Sequence, residues 1–204
     1  MKTTNIAVFV SGNGSNLQAL IDCEAGKGLS GGRIELVVSD NPGAFAVKRA
    51  EKAGIPVFVL EKKGYATREA YDKVISGRLK EAGIGLVVLA GFMRILSGWF
   101  VRSLEGRIMN IHPSLLPSFK GACGIRDAFV SGTSVTGVTV HFVTEELDSG
   151  PVILQEEVSI EKGDTLETLE EKIHKVEHRL YPEAVRLFCE GRIVVEENKV
   201  RIRD

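Results

Sequence analysis

The segment Asn5-Ile-Ala-Val-Phe-Val-Ser-Gly-Asn-Gly-Ser-Asn16 joins a short apolar run to a glycine-rich turn. Asn5 to Val10 has the pattern of a strand buried on both faces. Beyond the turn, Leu17, Ala19, Leu20, Ile21 and Cys23 fit a helix. A strand, a glycine loop and a helix start leave unpaired backbone N–H groups converging on one point, and the helix dipole favours negative charge there. Ser15 and Asn16, next to Gly14, can add side-chain donors. No Lys-Ser/Thr follows, so the turn is not a Walker A loop, and Leu17 stands where a dinucleotide fingerprint needs its third glycine. It reads either as a phosphate site or as an ordinary tight βα turn.

The same unit repeats down the chain. Ile34 to Ser39 reads as a second strand, closed by the turn Asp40-Asn-Pro-Gly43, and Val57 to Leu60 as a third. Helical spacing separates them, with Phe45, Val47, Ala50 and Ala53 before the third strand and Ala70, Val74 and Leu79 after it. Leu86 to Ala90 is a fourth apolar run. This alternation predicts an α/β fold: a Rossmann-like, doubly wound, mostly parallel sheet with helices on both faces. Further on, Thr139 to Val143 and Val152 to Val158 predict an antiparallel strand pair. A long amphipathic helix follows, with Asp164 as its N-cap and Leu166, Leu169, Ile173, Val176, Leu180, Ala184 and Leu187 as its apolar stripe. Pro182 lies inside that stripe and predicts a kink or a break.

Arg107-Ile-Met-Asn-Ile-His-Pro-Ser-Leu-Leu-Pro117 is the fifth strand and its exit loop. Residues two apart on a strand share a face, so Asn110 and His112 project together at a C-terminal strand end. Open α/β sheets keep their ligand crevices at that edge. An amide donor beside an imidazole suits stabilising and protonating an oxyanion; a strand end hydrogen-bonded to its own turn is the structural alternative. Met93, Arg94, Ile95 and Leu96 lie on a loop at the same edge, which fits either a flat ligand or a cap over the core. Asp148 sits in the acidic turn Thr144 to Pro151, where most acidic residues are solvated or capping. Glu177 lies at the margin of the long helix's apolar stripe, either reaching for solvent or accepting a ligand's hydrogen bonds.

His174-Lys-Val-Glu-His178 has the His-x-x-Glu-His spacing of some zinc enzymes. At about 100° per residue, both histidines fall outside the apolar stripe and face solvent, so no metal is expected. The 204 residues carry 44% apolar and 26% charged side chains and a net charge of −1. That balance offers no basic field for nucleic acid and no cationic face for a membrane. Three scattered cysteines without a Cys-x-x-Cys pair, no signal-peptide pattern and no long apolar run fit a reduced, cytoplasmic chain of a single domain.

Taken together the motifs resemble the phosphoribosylglycinamide formyltransferases, folate-dependent enzymes of purine biosynthesis. The resemblance is carried by Ser11 to Gln18, Arg68 to Asp72, Val88 to Leu96, Asn110 to Pro117, His141 to Ile153 and Glu177-His178, in order over nearly the whole chain. It implies formyl transfer from 10-formyltetrahydrofolate, a co-substrate, to the amine of glycinamide ribonucleotide. It further implies Asn110, His112 and Asp148 as a catalytic trio, and Gly14, Ser15, Asn16 and Glu177 as ribonucleotide contacts. The folate would be met by Arg68, Met93, Arg94, Ile95, Leu96, Asn110, Val143, Thr144 and Asp148. The first 105 or so residues would hold the phosphate and the remainder the catalytic and folate groups, in a monomer or homodimer. Cys123 and Ile125 depart from the polar residues such a loop often carries, and no role is assigned to them. A hydrolase of the same formyl donor, known with an extra N-terminal domain, and a non-catalytic nucleotide-binding module are the alternatives.

Overall fold

The computed structural model describes residues 3–203. Strands β1 (Thr4–Val10), β2 (Gly32–Ser39), β3 (Val57–Val59), β4 (Leu86–Leu89) and β5 (Ile108–His112) are parallel and stand in the order β3-β2-β1-β4-β5. Two antiparallel strands, β6 (Val135–Phe142) and β7 (Val152–Ser159), extend the sheet to seven. The expected doubly wound sheet and antiparallel pair are thus observed. β6 begins four residues before the predicted start at Thr139, because Val135 to Val138 already pair with β7.

Strand β1 shows why its sequence is apolar without alternation. Ile6, Val8 and Val10 face a layer built from α1 (Ser15–Ala25), α2 (Phe45–Lys52) and α6 (Leu166–Cys189). Ala7 and Phe9 face the opposite layer, formed by α3 (Arg68–Glu81) and α4 (Gly98–Ser103). Every one of these five β1 side chains is buried. A sheet covered on both sides leaves no polar face for a central strand to show.

Helix α6 corrects two expectations. Its N-cap is Thr165, whose hydroxyl accepts from the Thr168 N–H while the Thr168 hydroxyl accepts from the Thr165 N–H. Asp164 instead accepts from the Glu161 N–H, the Thr168 hydroxyl and Lys172. The helix also runs unbroken through Pro182. A helical proline costs about 3 kcal/mol, whereas Leu180, Tyr181, Ala184 and Val185 are all buried around it. Burial of large apolar side chains contributes roughly 1.5–3 kcal/mol each, so packing outweighs the missing hydrogen bond.

Tyr181 ties this helix to the sheet where the ligand crevice opens. Its buried hydroxyl lies 2.9 Å from the carbonyl of Leu89, the last residue of β4, and 3.1 Å from that of Met109 on β5, the residue before Asn110. Helix α5 (Gly124–Ser131) follows the proline loop, and β8 (Ile193–Glu196) with β9 (Lys199–Ile202) forms a C-terminal hairpin. Among the described residues no helix is long and apolar enough to cross a membrane.

Candidate active site

A cavity of about 580 Å³ opens at the C-terminal ends of β1, β4 and β5. The sheet order reverses between β1 and β4, which is where such folds form their crevice. The glycine loop, the loop after β4, the end of β5 and the acidic turn after β6 all line it, and α6 contributes His174 and Glu177.

At the floor, α1 starts from Gly14 in a left-handed conformation (φ 74°), with no side chain capping the helix. A β-carbon on Gly14 would lie 2.5 Å from that of Ala46, so only glycine fits. The first N–H groups of α1 are therefore not taken by a cap, as the sequence pattern requires of an anion site. Asn16 Nδ2 donates to Glu177 Oε2 at 3.0 Å, and Asn16 Oδ1 is buried without a partner. Glu177 is buried, and desolvation pushes its pKa above the usual carboxylate value against the opposing pull of the Asn16 bond. The carboxylate points into the site rather than reaching for solvent.

The chemistry-bearing groups gather above β5. Asn110 and His112 do share the cavity wall, yet the Asn110 amide contacts His141 on neighbouring β6, with Nδ2 to Nε2 at 3.2 Å. His141 Nδ1 lies 2.8 Å from the Phe142 carbonyl, which can only accept. Nδ1 therefore carries the proton, leaving Nε2 to accept from the amide. Burial lowers the His141 pKa, consistent with a neutral ring. His112 Nε2 lies 2.8 Å from the Phe119 carbonyl and so carries a proton. Its Nδ1 faces Asp148 Oδ2 at 3.7 Å, beyond direct hydrogen-bonding range, while Asp148 Oδ1 lies 3.8 Å from His141 Nε2.

Asp148 is thus held between two imidazoles, with its side chain 7% exposed. Its Oδ2 accepts the Gly121 N–H at 2.8 Å, and its own backbone is left-handed (φ 49°). The acidic turn folds back so tightly that a β-carbon on Gly150 would fall 1.8 Å from the Phe142 carbonyl oxygen. On the other side, Thr139 pins the proline loop: its hydroxyl donates to the Ser114 carbonyl and accepts the Leu116 N–H. These ties account for a loop whose sequence shows little pattern.

Met93, Arg94, Ile95 and Leu96 line the cavity together with Val143 and Thr144. The Met93 N–H donates to Ser11 Oγ at 2.9 Å, which joins this loop to the glycine loop. Met93 and Ile95 are 67% and 58% exposed, an apolar edge facing the opening. Arg94 stacks its guanidinium 4.1 Å from the centre of the Tyr71 ring. Arg68 is the exception among the expected residues: it is the exposed first residue of α3 and does not line the cavity.

Sequence reasoning also missed His141, although a lone histidine among Val140, Phe142 and Val143 was a signal that an inward polar group needed a partner. His174 is exposed at the cavity wall, as expected of a residue off the apolar stripe. His178, expected in solvent, is half-buried, with Nε2 enclosed and unpartnered. The two rings stack with centroids 6.2 Å apart, and among the described residues no group of three or more His, Cys, Asp or Glu is placed to hold a metal ion.

An uncapped glycine loop, an apolar slot and a buried amide–imidazole–carboxylate cluster thus share one crevice of an α/β protein. Comparison with known proteins identifies the family. Residues 4–185 match the formyl transferase family model. The phosphoribosylglycinamide formyltransferase of Escherichia coli (strain K12) is 44% identical, over 95% of this chain and 91% of its own length. The glycinamide ribonucleotide transformylase 1 of Symbiobacterium toebii superposes with a TM-score of 0.95 at 45% identity, covering 99% of this chain and 95% of that one. The trifunctional purine biosynthetic protein adenosine-3 of Gallus gallus is 48% identical over 94% of this chain, which spans only 19% of that longer relative. The chain belongs to the formyl transferase family, within its phosphoribosylglycinamide formyltransferase group.

Proposed function

We propose that the protein transfers the formyl group of 10-formyltetrahydrofolate to the primary amine of glycinamide ribonucleotide, giving the N-formyl product and tetrahydrofolate in purine biosynthesis. The observation that carries the reading is Asp148, held between His112 and His141 beside the Asn110 amide, in the same cavity as an uncapped glycine loop. A nucleotide-binding module needs the loop but gives no reason for that buried cluster.

In this reading Gly14, Ser15 and Asn16 hold the ribonucleotide phosphate, and Glu177 accepts from its ribose hydroxyls or glycinamide end. The orphaned Asn16 Oδ1 is a further acceptor for that substrate. The pterin occupies the slot made by Met93 to Leu96 and by Val143 to Asp148, and Arg68 reaches the outer part of the folate. The first 105 or so residues supply the phosphate site and the remainder the catalytic and folate groups.

The amine nitrogen attacks the formyl carbon, and the carbonyl π pair moves onto oxygen. The Asn110 amide and the His112 imidazolium stabilise that oxyanion. Phe119 already engages His112 Nε2, so the contact falls to Nδ1–H. Asp148 Oδ2 lies 3.7 Å from this nitrogen, so the carboxylate charge faces the same side of the ring. The oxyanion pair then re-forms the carbonyl, the old carbon–nitrogen bond breaks with its electrons going to the folate nitrogen, and Asp148 passes the amine's proton to that nitrogen. A cytoplasmic monomer or homodimer suffices, because every group named comes from one chain.

The test is formyl transfer measured with purified protein, the formyl donor and glycinamide ribonucleotide. N-formyl product appearing only when both substrates are present supports the reading. Formate released without ribonucleotide would point to the hydrolase, and ribonucleotide binding without turnover to the module.

A further inference from the structure

Arg49 stands on the last turn of α2, outside the cavity, and reaches back to the glycine loop. Its Nε donates to the Asn13 carbonyl at 2.9 Å and its Nη2 to Asn13 Oδ1 at 3.0 Å. Nη1 donates to Gln18 Oε1 at 3.2 Å, in the first turns of α1. One planar guanidinium therefore clamps the main chain of the loop, its side chain and the helix that follows. Phe45, one helical turn earlier, is 51% exposed, and its ring centre lies 4.8 Å from the Arg49 guanidinium carbon. An exposed aromatic that packs into no core is explained as the platform for this arginine.

The bond to the Asn13 carbonyl has a consequence for the loop's donors. The Asn13–Gly14 peptide is trans, so its carbonyl and its N–H point in opposite directions. Drawing the carbonyl outward to Arg49 turns the Gly14 N–H the other way, toward the cavity that Asn13 and Gly14 line. The start of α2 supports the same arrangement, since the Ala46 N–H donates to the Gly12 carbonyl at 3.1 Å. Arg49 also places a permanent positive charge directly behind a loop that must accept a dianion.

We propose that Arg49 is a positioning residue for the phosphate loop: it aims the loop's N–H groups at the ribonucleotide phosphate without touching the phosphate. The inference rests on the reading of this loop as the ribonucleotide's phosphate site. A merely structural role would lower stability and affect both substrates. A positioning role affects one.

The experiment compares wild type, Arg49→Gln and Arg49→Lys, by steady-state kinetics in both substrates and by calorimetric titration with glycinamide ribonucleotide. For Arg49→Gln, KM and Kd for the ribonucleotide rise about tenfold or more, the scale of lost charge-assisted, pre-organised contacts. The KM for the formyl donor and kcat at saturation stay within about twofold. Arg49→Lys recovers only part of the loss, because a single ammonium cannot hold Asn13 O, Asn13 Oδ1 and Gln18 together. Unchanged ribonucleotide affinity in a folded Arg49→Gln protein would overturn the role of Arg49 while leaving the proposed function standing. If Arg49→Gln does not fold, wild-type affinity in Arg49→Lys would do the same. Wild type that turns over no ribonucleotide and does not bind it would overturn both.

Discussion

The Asn110 amide nitrogen lies 3.2 Å from His141 Nε2, and the Phe142 carbonyl fixes which nitrogen of that ring is free to accept. The orientation of the proposed oxyanion donor is therefore set by a histidine one strand away. Replacing His141 with leucine removes the acceptor and lets the amide rotate. Turnover is expected to fall about tenfold, toward the scale seen when an oxyanion donor is lost, with both KM values little changed. His141→Gln keeps an acceptor and retains more activity. The ring's pKa is lowered from 6.5 by burial, so it stays neutral across neutral pH. The stability it lends is complete above the unfolded value and is lost as pH falls toward the folded one. A pH series of melting temperatures on wild type and His141→Gln checks the sign: the variant loses this acid-side decline.

Asp148→Asn keeps a side-chain oxygen to accept the Gly121 N–H but removes the charge between the two imidazoles. The fold should hold. Turnover should drop by about two or more powers of ten, as for other positioned acid–base groups. Single-turnover rates with both substrates saturating measure this directly, and a folded variant with wild-type rates would remove Asp148 from the mechanism.

Glu177 gives a prediction with opposite signs in stability and binding. Burial raises its pKa above 4.5, so the folded state holds the proton more tightly than the unfolded chain. The ionised form then weighs against folding, increasingly as pH climbs from the unfolded value through the folded one. Glu177→Gln should melt higher than wild type at neutral pH, with the difference vanishing in acid. Its ribonucleotide affinity should fall about tenfold or more, since charged hydrogen bonds are worth roughly 1.5–3 kcal/mol. Denaturation and titration on the same sample separate the two effects.

Most of this architecture can be read from the residues. Unbroken apolar runs at β1 and β4 announce strands covered on both faces, and strand parity places Asn110 and His112 on one wall. Other features depend on contacts the chain makes at long range. Thr136 and Gly137 look like loop residues until β7 supplies their partners. Both Asp164 and Thr165 have the chemistry of an N-cap, and local preference does not separate neighbours that one register shift exchanges. Pro182 reads as a breaker because the burial that outweighs it comes from elsewhere in the chain. His141 is hidden by its neighbours' strand character, and its role depends on a cross-strand amide.

Tyr181 tests whether the end of the sheet is held from behind. Its hydroxyl serves the carbonyls of Leu89 and Met109, on adjacent strands whose next residues lead into the apolar slot and to Asn110. Full burial and the nearby Glu177 carboxylate push its pKa well above the ordinary phenol value, so it remains a donor at any working pH. Tyr181→Phe keeps the ring's packing and deletes only the hydroxyl. Both carbonyls also sit in the β4–β5 ladder, so the change removes a second hydrogen bond and leaves neither orphaned. Such a bond is worth about 0.5–1.5 kcal/mol, and chemical denaturation should report a loss of that size. If the hydroxyl also sets the spacing of the two strands, turnover falls together with stability while the ribonucleotide Kd, governed by the glycine loop, does not move. A stability loss with unchanged turnover would confine Tyr181 to the core.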